Sequence, residues 1–191
     1  MNIGLYFGSF NPIHIGHLAI ANYMIEFSDL DEIWFVVSPQ NPLKKKSSLL
    51  NEFDRFDMVE LAIKDDLRMK PSDIEFNLPK PSYTIDTLTY LSEKNQKHNF
   101  NLIVGADSLQ SFHKWKNYEE ILKQYKLFVY PRPNCNIDSY KDHENVKIIN
   151  APLMEISSSF IRKSIKEEKD IRYFLPAEVF KHIEKMIFYK N

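Results

Sequence analysis

Two histidines three residues apart, His14 and His17, lie in the run Gly8-Ser9-Phe10-Asn11-Pro12-Ile13-His14-Ile15-Gly16-His17-Leu18. An apolar segment before it, Ile3 to Phe7, reads as a buried strand, and Leu18 to Ile25 after it reads as an amphipathic helix. The first N–H groups of a helix have no intrahelical partner and the positive end of its dipole lies there, so such a junction favours anions. Glycine at 8 and 16 lets a ligand come close to the backbone. Imidazoles three apart in a first turn share one side and can donate together to one phosphate. The chemistry implied is stabilisation of charge on a phosphate, against the plainer reading of a capped helix with surface histidines. A structural zinc site is disfavoured, because Cys135 is the only cysteine and no further His or carboxylate stands at ligand spacing nearby. The dinucleotide fingerprint G-x-G-x-x-G is absent, which disfavours hydride transfer.

Five other segments carry candidate chemistry. In Ile156-Ser157-Ser158-Ser159-Phe160-Ile161-Arg162, serines opening a helix supply hydroxyls and N–H groups, and Arg162 brings a fixed charge one turn on, a set suited to outer phosphates. An N-cap beside a surface arginine would look the same. Lys44, Lys45 and Lys46 occupy a polar loop spanning 38 to 51, too long for a minimal turn, and read as an arm for substrate phosphate or as a solvated charge run. Thr84, within Ser82 to Leu88, can open a helix whose amides bind a carboxylate, and Trp115 offers a flat ring an aromatic face. Asp107, just after a strand, can accept from ribose hydroxyls, while Arg132 meets a phosphate or braces its loop. Each keeps a structural alternative: Thr84 as cap, Trp115 as core, Asp107 as N-cap.

The elements that must position these residues alternate. Strand patterns fall near 2–7, 32–37, 100–104, 126–130 and 146–149, and helical ones near 16–27, 52–65, 84–95, 117–124, 158–168 and 176–188. Alternation implies right-handed βαβ units, hence an α/β, doubly wound, mostly parallel sheet with ligands beyond the strands' carboxyl ends. The 191 residues suit one domain, with a C-terminal helical part from about 157 to 191. In the last helix Val179, Ile183, Met186 and Ile187 form an apolar stripe expected to be core, a homo-oligomer contact being the minority reading. A net charge of −1 gives no reason to expect nucleic acid or an acidic membrane. One cysteine, no basic leader and no apolar run approaching ~20 residues favour a cytoplasmic protein.

Taken in order, the first and last motifs resemble G-x-F-(D/N)-P-x-H-x-G-H and I-S-S-(S/T)-x-I-R of the HxGH nucleotidyltransferase superfamily. Pro81-Ser82-Tyr83-Thr84-Ile85-Asp86-Thr87-Leu88, and Gly105-Ala106-Asp107-Ser108-Leu109 with Phe112 and Trp115, are similar to segments of bacterial nicotinate-nucleotide adenylyltransferases. That family usually has Pro-Pro-His-Lys or Pro-Pro-His-Arg where this chain has Asn41-Pro42-Leu43-Lys44-Lys45, so Lys44 is favoured for the family lysine and Lys45 is the alternate. The resemblance implies a Rossmann-like fold and adenylyl transfer from ATP to nicotinate mononucleotide, giving nicotinate adenine dinucleotide and pyrophosphate in NAD biosynthesis. It implies catalytic roles for His14, His17, Lys44 and Arg162. It assigns ATP to Gly8, Ser9, Phe10, Gly16, Gly105, Asp107, Ile156, Ser157, Ser158 and Ser159, and the mononucleotide to Asn11, Lys45, Thr84, Trp115 and Arg132. Mg²⁺ is expected mainly on the ATP phosphates, with no protein metal ligands. The alternatives are an adenylyltransferase for nicotinamide mononucleotide or phosphopantetheine, and a nucleotide-binding module without catalysis.

Overall fold

Continuous apolar runs such as Ile33 to Val37 can be buried on both faces only inside a sheet covered on both sides, and the computed structural model, which describes residues 1–39 and 49–190, places them there. Six strands, β1 (Asn2–Gly8), β2 (Glu32–Val37), β3 (Met69–Ser72), β4 (Asn99–Gly105), β5 (Leu127–Tyr130) and β6 (Val146–Ile148), pair in the order β3-β2-β1-β4-β5-β6. All five pairings are parallel. The helices are α1 (Ile15–Phe27), α2 (Glu52–Ile63), α3 (Thr84–Lys94), α4 (Ala106–Gln110), α5 (Tyr118–Gln124), α6 (Ser158–Lys166) and α7 (Ala177–Met186). One face of the sheet buries Tyr6, Ile33 and Phe35 with residues of α1, α2, α6 and α7, and the other buries Leu5, Val36 and Leu102 with residues of α3, α4 and α5. Strand order reverses between β1 and β4, so a crevice opens past their carboxyl ends. Each strand expected from the sequence is present.

Two expectations change. β3 was not expected: Met-Lys-Pro-Ser has no apolar run, and Pro71 is tolerated because β3 is an edge strand with one neighbour, β2. The apolar stripe of α7 stops at Ile183. Val179 and Ile183 are buried, but Met186 and Ile187 are exposed, because the helix ends at a left-handed Ile187 and the chain turns back to pack Phe188 and Tyr189 on the core. No helix among the described residues is long and apolar enough to cross a membrane.

Candidate active site

At the end of β1 the chain turns through Phe10, whose positive φ of 42° drives its ring inward, edge-on to Tyr6 and His17 with centroids at 5.8 and 5.1 Å. That ring explains Gly8: a Cβ there would come within 2.7 Å of it. Gly16 faces His14 the same way, with a Cβ landing 3.0 Å from Nδ1. Both glycines therefore make room for rings of the motif itself. His14 is the N-cap of α1, and its carbonyl accepts from the His17 N–H at 2.9 Å. In return the His14 N–H donates to His17 Nδ1 at 3.2 Å. Accepting there requires an unprotonated Nδ1, so the neutral His17 ring carries its proton on Nε2, as a donor. The two imidazoles stack with centroids 3.7 Å apart, as the spacing implied.

His14 is 3% exposed and its Nδ1 has no hydrogen-bond partner among the described residues. Burial, reinforced by the positive charge of Arg132, pushes its pKa down to about 4. The ring is thus a neutral member of the pair. Because the folded value lies below the ordinary 6.5, the unfolded chain binds the proton first as pH falls. Stability from this group is complete above about pH 6.5 and is lost on the way down to about pH 4, to a total of about 3 kcal/mol. His14→Gln should accordingly flatten the acid side of the stability curve measured by urea unfolding between about pH 7 and pH 4.5. An unchanged slope would place the proton elsewhere.

The second motif is fastened to the first. Ser157 caps α6 by accepting from the Phe160 N–H at 3.2 Å, and the Ser158 hydroxyl donates to the Pro12 carbonyl at 2.9 Å. Arg162 donates from Nη1 to the Asn11 carbonyl at 2.7 Å and from Nη2 to Ser159 Oγ at 3.4 Å. Ile156 packs over Gly16. The Ser158 proton is thus spent within the protein, whereas Ser157, which accepts, keeps its O–H to donate beside the N–H groups opening α6. Asn11 is buried, its Oδ1 accepting from the Leu50 N–H at 3.3 Å and the Tyr189 hydroxyl at 2.8 Å. Arg132 donates to the Met154 carbonyl at 2.9 Å and pairs with Asp107 at 3.8 Å, contacts that brace its loop.

Beside this pair of motifs a cavity of about 450 Å³ runs across the crevice, lined by Gly8, Ser9, Thr84, Gly105, Asp107 and Trp115 among others. Tyr6 joins the two regions, lining the cavity while its ring meets that of His17 at 6.0 Å. Trp115 is half-buried against Phe112, with centroids 5.0 Å apart. Thr84 is the first residue of α3 and not its cap; Tyr83 holds that place with no capping side chain, so the helix opens unblocked toward the cavity. Asp107 lies in α4, whose cap is Gly105, and its side chain is 61% exposed.

A cytidylyltransferase-like family model matches residues 5–164. The chain is similar to the probable nicotinate-nucleotide adenylyltransferase of Cytophaga hutchinsonii at 56% identity over the whole of both chains. It is similar to that of Bacteroides thetaiotaomicron at 44%, covering 98% of this chain and 93% of the other. The chain belongs to the nicotinate-nucleotide adenylyltransferases. It shares its fold with the solved Plasmodium falciparum nicotinic acid mononucleotide adenylyltransferase complexed with NaAD, at TM-score 0.82 and 24% identity, covering 98% of this chain and 97% of the other.

The sequence reading assigned no site role to two residues of this adenylyltransferase. Arg55, on α2, is fully buried, and its guanidinium donates to four carbonyls: Ser9 at 2.6 Å, Ser38 at 2.9 Å, Leu50 at 3.0 Å and Pro39 at 3.2 Å. It ties the loop after β1 to the end of β2 and to the start of α2. Glu75, in the short helical turn Ile74–Asn77, is 2% exposed yet lines the cavity. The Thr87 hydroxyl donates to its Oε1 at 3.0 Å, whereas Oε2 has no hydrogen-bond partner among the described residues. The signal available for Arg55 was the resemblance of Asp54-Arg55-Phe56 with Met58 to the family's R-x-x-M segment after the lysine loop, whereas Glu75 was a lone charged residue, which by itself reads as surface. Lys44 and Lys45 lie outside the described residues.

Proposed function

We infer that this protein transfers the adenylyl group of ATP to nicotinate mononucleotide, releasing pyrophosphate. The observation that carries the reading is the stacked His14–His17 pair with a donor held on His17 Nε2, beside a cavity ending on Trp115 and the open start of α3. A phosphate oxygen of the mononucleotide attacks the α-phosphorus in line. The new P–O bond forms as the bond to the bridging oxygen breaks, and the pair of electrons leaves with pyrophosphate. No covalent enzyme intermediate is needed, so alignment and stabilisation of accumulating negative charge are the protein's work. In this reading His14 and His17 contact the α-phosphate, Arg162 and the first turn of α6 the outer phosphates, and Lys44 or Lys45 the incoming phosphate. Gly8, Ser9, Gly105 and Asp107 flank the nucleotide, with Asp107 toward ribose.

Among the described residues no group of three His, Cys, Asp or Glu side chains could hold a metal ion. In this reading Mg²⁺ is carried by the ATP phosphates and water, where it would neutralise phosphate charge. The single cysteine fits a cytoplasmic setting.

The base end is tested by substrate choice. A carboxylate gains from the N–H groups and dipole at the start of α3, whereas a carboxamide presents an NH₂ donor to groups that are donors themselves. An unmatched donor pair in a closed pocket costs about 1 to 3 kcal/mol, so nicotinate mononucleotide should exceed nicotinamide mononucleotide by roughly ten- to hundredfold in kcat/KM, measured by pyrophosphate release with ATP and Mg²⁺. Trp115→Ala should harm both substrates alike, since stacking ignores the ring substituent. Equal kcat/KM would end the acid assignment while leaving adenylyl transfer in place.

A further inference from the structure

We propose that Glu75 is a specificity-determining residue of the mononucleotide subsite, the protonation of its carboxyl setting how strongly the site prefers an acid over an amide on the pyridine ring. The inference rests on the reading above that the base lies against Trp115 and the start of α3. A carboxyl is an unexpected wall for a pocket meant to receive a carboxylate, and this one is 2% exposed with no ion-pair partner among the described residues. Its surroundings are hydroxyls: Thr87 donates to Oε1 at 3.0 Å, and Ser38 and Ser82 lie alongside. Among the described residues Oε2 is left without a hydrogen-bond partner. An ionised carboxylate needs donors on both oxygens, whereas a neutral one needs an acceptor for a single O–H, and a substrate carboxylate is such an acceptor. Burial raises the pKa of this group against the lowering pull of the three hydroxyls.

The two protonation states treat the substrates oppositely. Neutral Glu75 leaves the positive end of α3 for the substrate and offers Oε2–H to it. Ionised Glu75 occupies that dipole itself, repels an acid and accepts from the NH₂ of an amide. The acid-to-amide ratio must therefore fall as pH rises through the Glu75 titration. Other charges face this corner: Asp86 paired with Lys116 at α3, Lys114 and Asp107 along the cavity, Arg55 on the Ser38 carbonyl, and Glu52 paired with Lys80 on the α2 side. All of them persist in a Glu75 variant, and the ionisations of ATP and of the mononucleotide phosphate are common to both substrates, so the ratio isolates Glu75.

The experiment measures kcat/KM for nicotinate and nicotinamide mononucleotides with ATP and Mg²⁺ from about pH 5.5 to pH 9, in the wild type, Glu75→Gln and Thr87→Val. The wild-type ratio should fall about tenfold across this range, the size of one added like charge in a partly screened corner. Glu75→Gln, which cannot ionise, should keep a high and flat ratio. Thr87→Val removes a donor that favours the ionised form, so its fall should move to higher pH. A fall that survives in Glu75→Gln, or a wild-type ratio that is large and flat, overturns the Glu75 assignment and spares the base reading. A ratio near one at every pH in every variant takes down the base reading, and this inference with it. Should Glu75→Gln not fold, an unmoved midpoint in Thr87→Val overturns the assignment.

Discussion

Replacing His17 by alanine should lower kcat by about 10² to 10³, the loss that follows removal of one preorganised donor to a developing charge. The donor is unusually well defined here. The His14 backbone N–H occupies Nδ1, so the proton of the neutral ring stands on Nε2, and stacking on His14 together with edge contacts from Phe10 and Tyr6 sets the plane of the ring. Nothing must reorganise when charge accumulates on the α-phosphate. Because the interaction strengthens in the transition state, kcat should fall further than KM rises. Alanine also leaves a space beside Phe10, so circular dichroism and Tm of the variant belong with the kinetics. A folded His17→Ala protein retaining more than about a third of wild-type kcat would remove His17 from the chemistry.

Arg55→Met is expected to lower Tm by about 6–20 °C. Two effects oppose each other. Burying a guanidinium without a carboxylate is costly, and an apolar side chain of similar volume escapes that cost. Methionine, however, leaves the carbonyls of Ser9, Ser38, Pro39 and Leu50 without the donors that now satisfy them. Orphaned buried acceptors cost about 1–3 kcal/mol each when no water reaches them, so the second effect should win by about 3–5 kcal/mol. At this chain length 1 kcal/mol corresponds to roughly 2–4 °C. Arg55→Lys should rescue little, since one ammonium cannot span the positions a planar fork reaches. A Tm for Arg55→Met within about 3 °C of wild type would show that the loops hold without it.

What could be read from the sequence was what is local. His14 and His17 share a turn, Ser157 caps the helix it opens, and β1, β2 and β4 announce themselves as apolar runs with their motifs at their ends. What could not be read depends on partners far along the chain. Arg55 reaches Ser9 across 46 residues, and Tyr189 reaches Asn11 across 178, while nothing in Asp54-Arg55-Phe56 or in Ile187 to Lys190 announces a destination. Edge strand β3 was hidden because it takes its hydrogen bonds from β2 and not its stability from apolar content. The end of α7 was misjudged because a helical period does not reveal where the chain turns back.

The fastening of this site has an evolutionary signature of its own. Arg55 holds carbonyls of Ser9, Ser38, Pro39 and Leu50, Arg162 holds that of Asn11, Ser158 that of Pro12, and Arg132 that of Met154. In each of these bonds the donor is a side chain and the acceptor is main chain, which all residue types carry. A saturation scan should find the donor positions intolerant, while Pro39, Pro12 and Met154 accept replacements that keep the backbone path. Covariation between homologues would also pass over these fasteners, because Arg55 has four partners in space and no side chain among them to change in step with it.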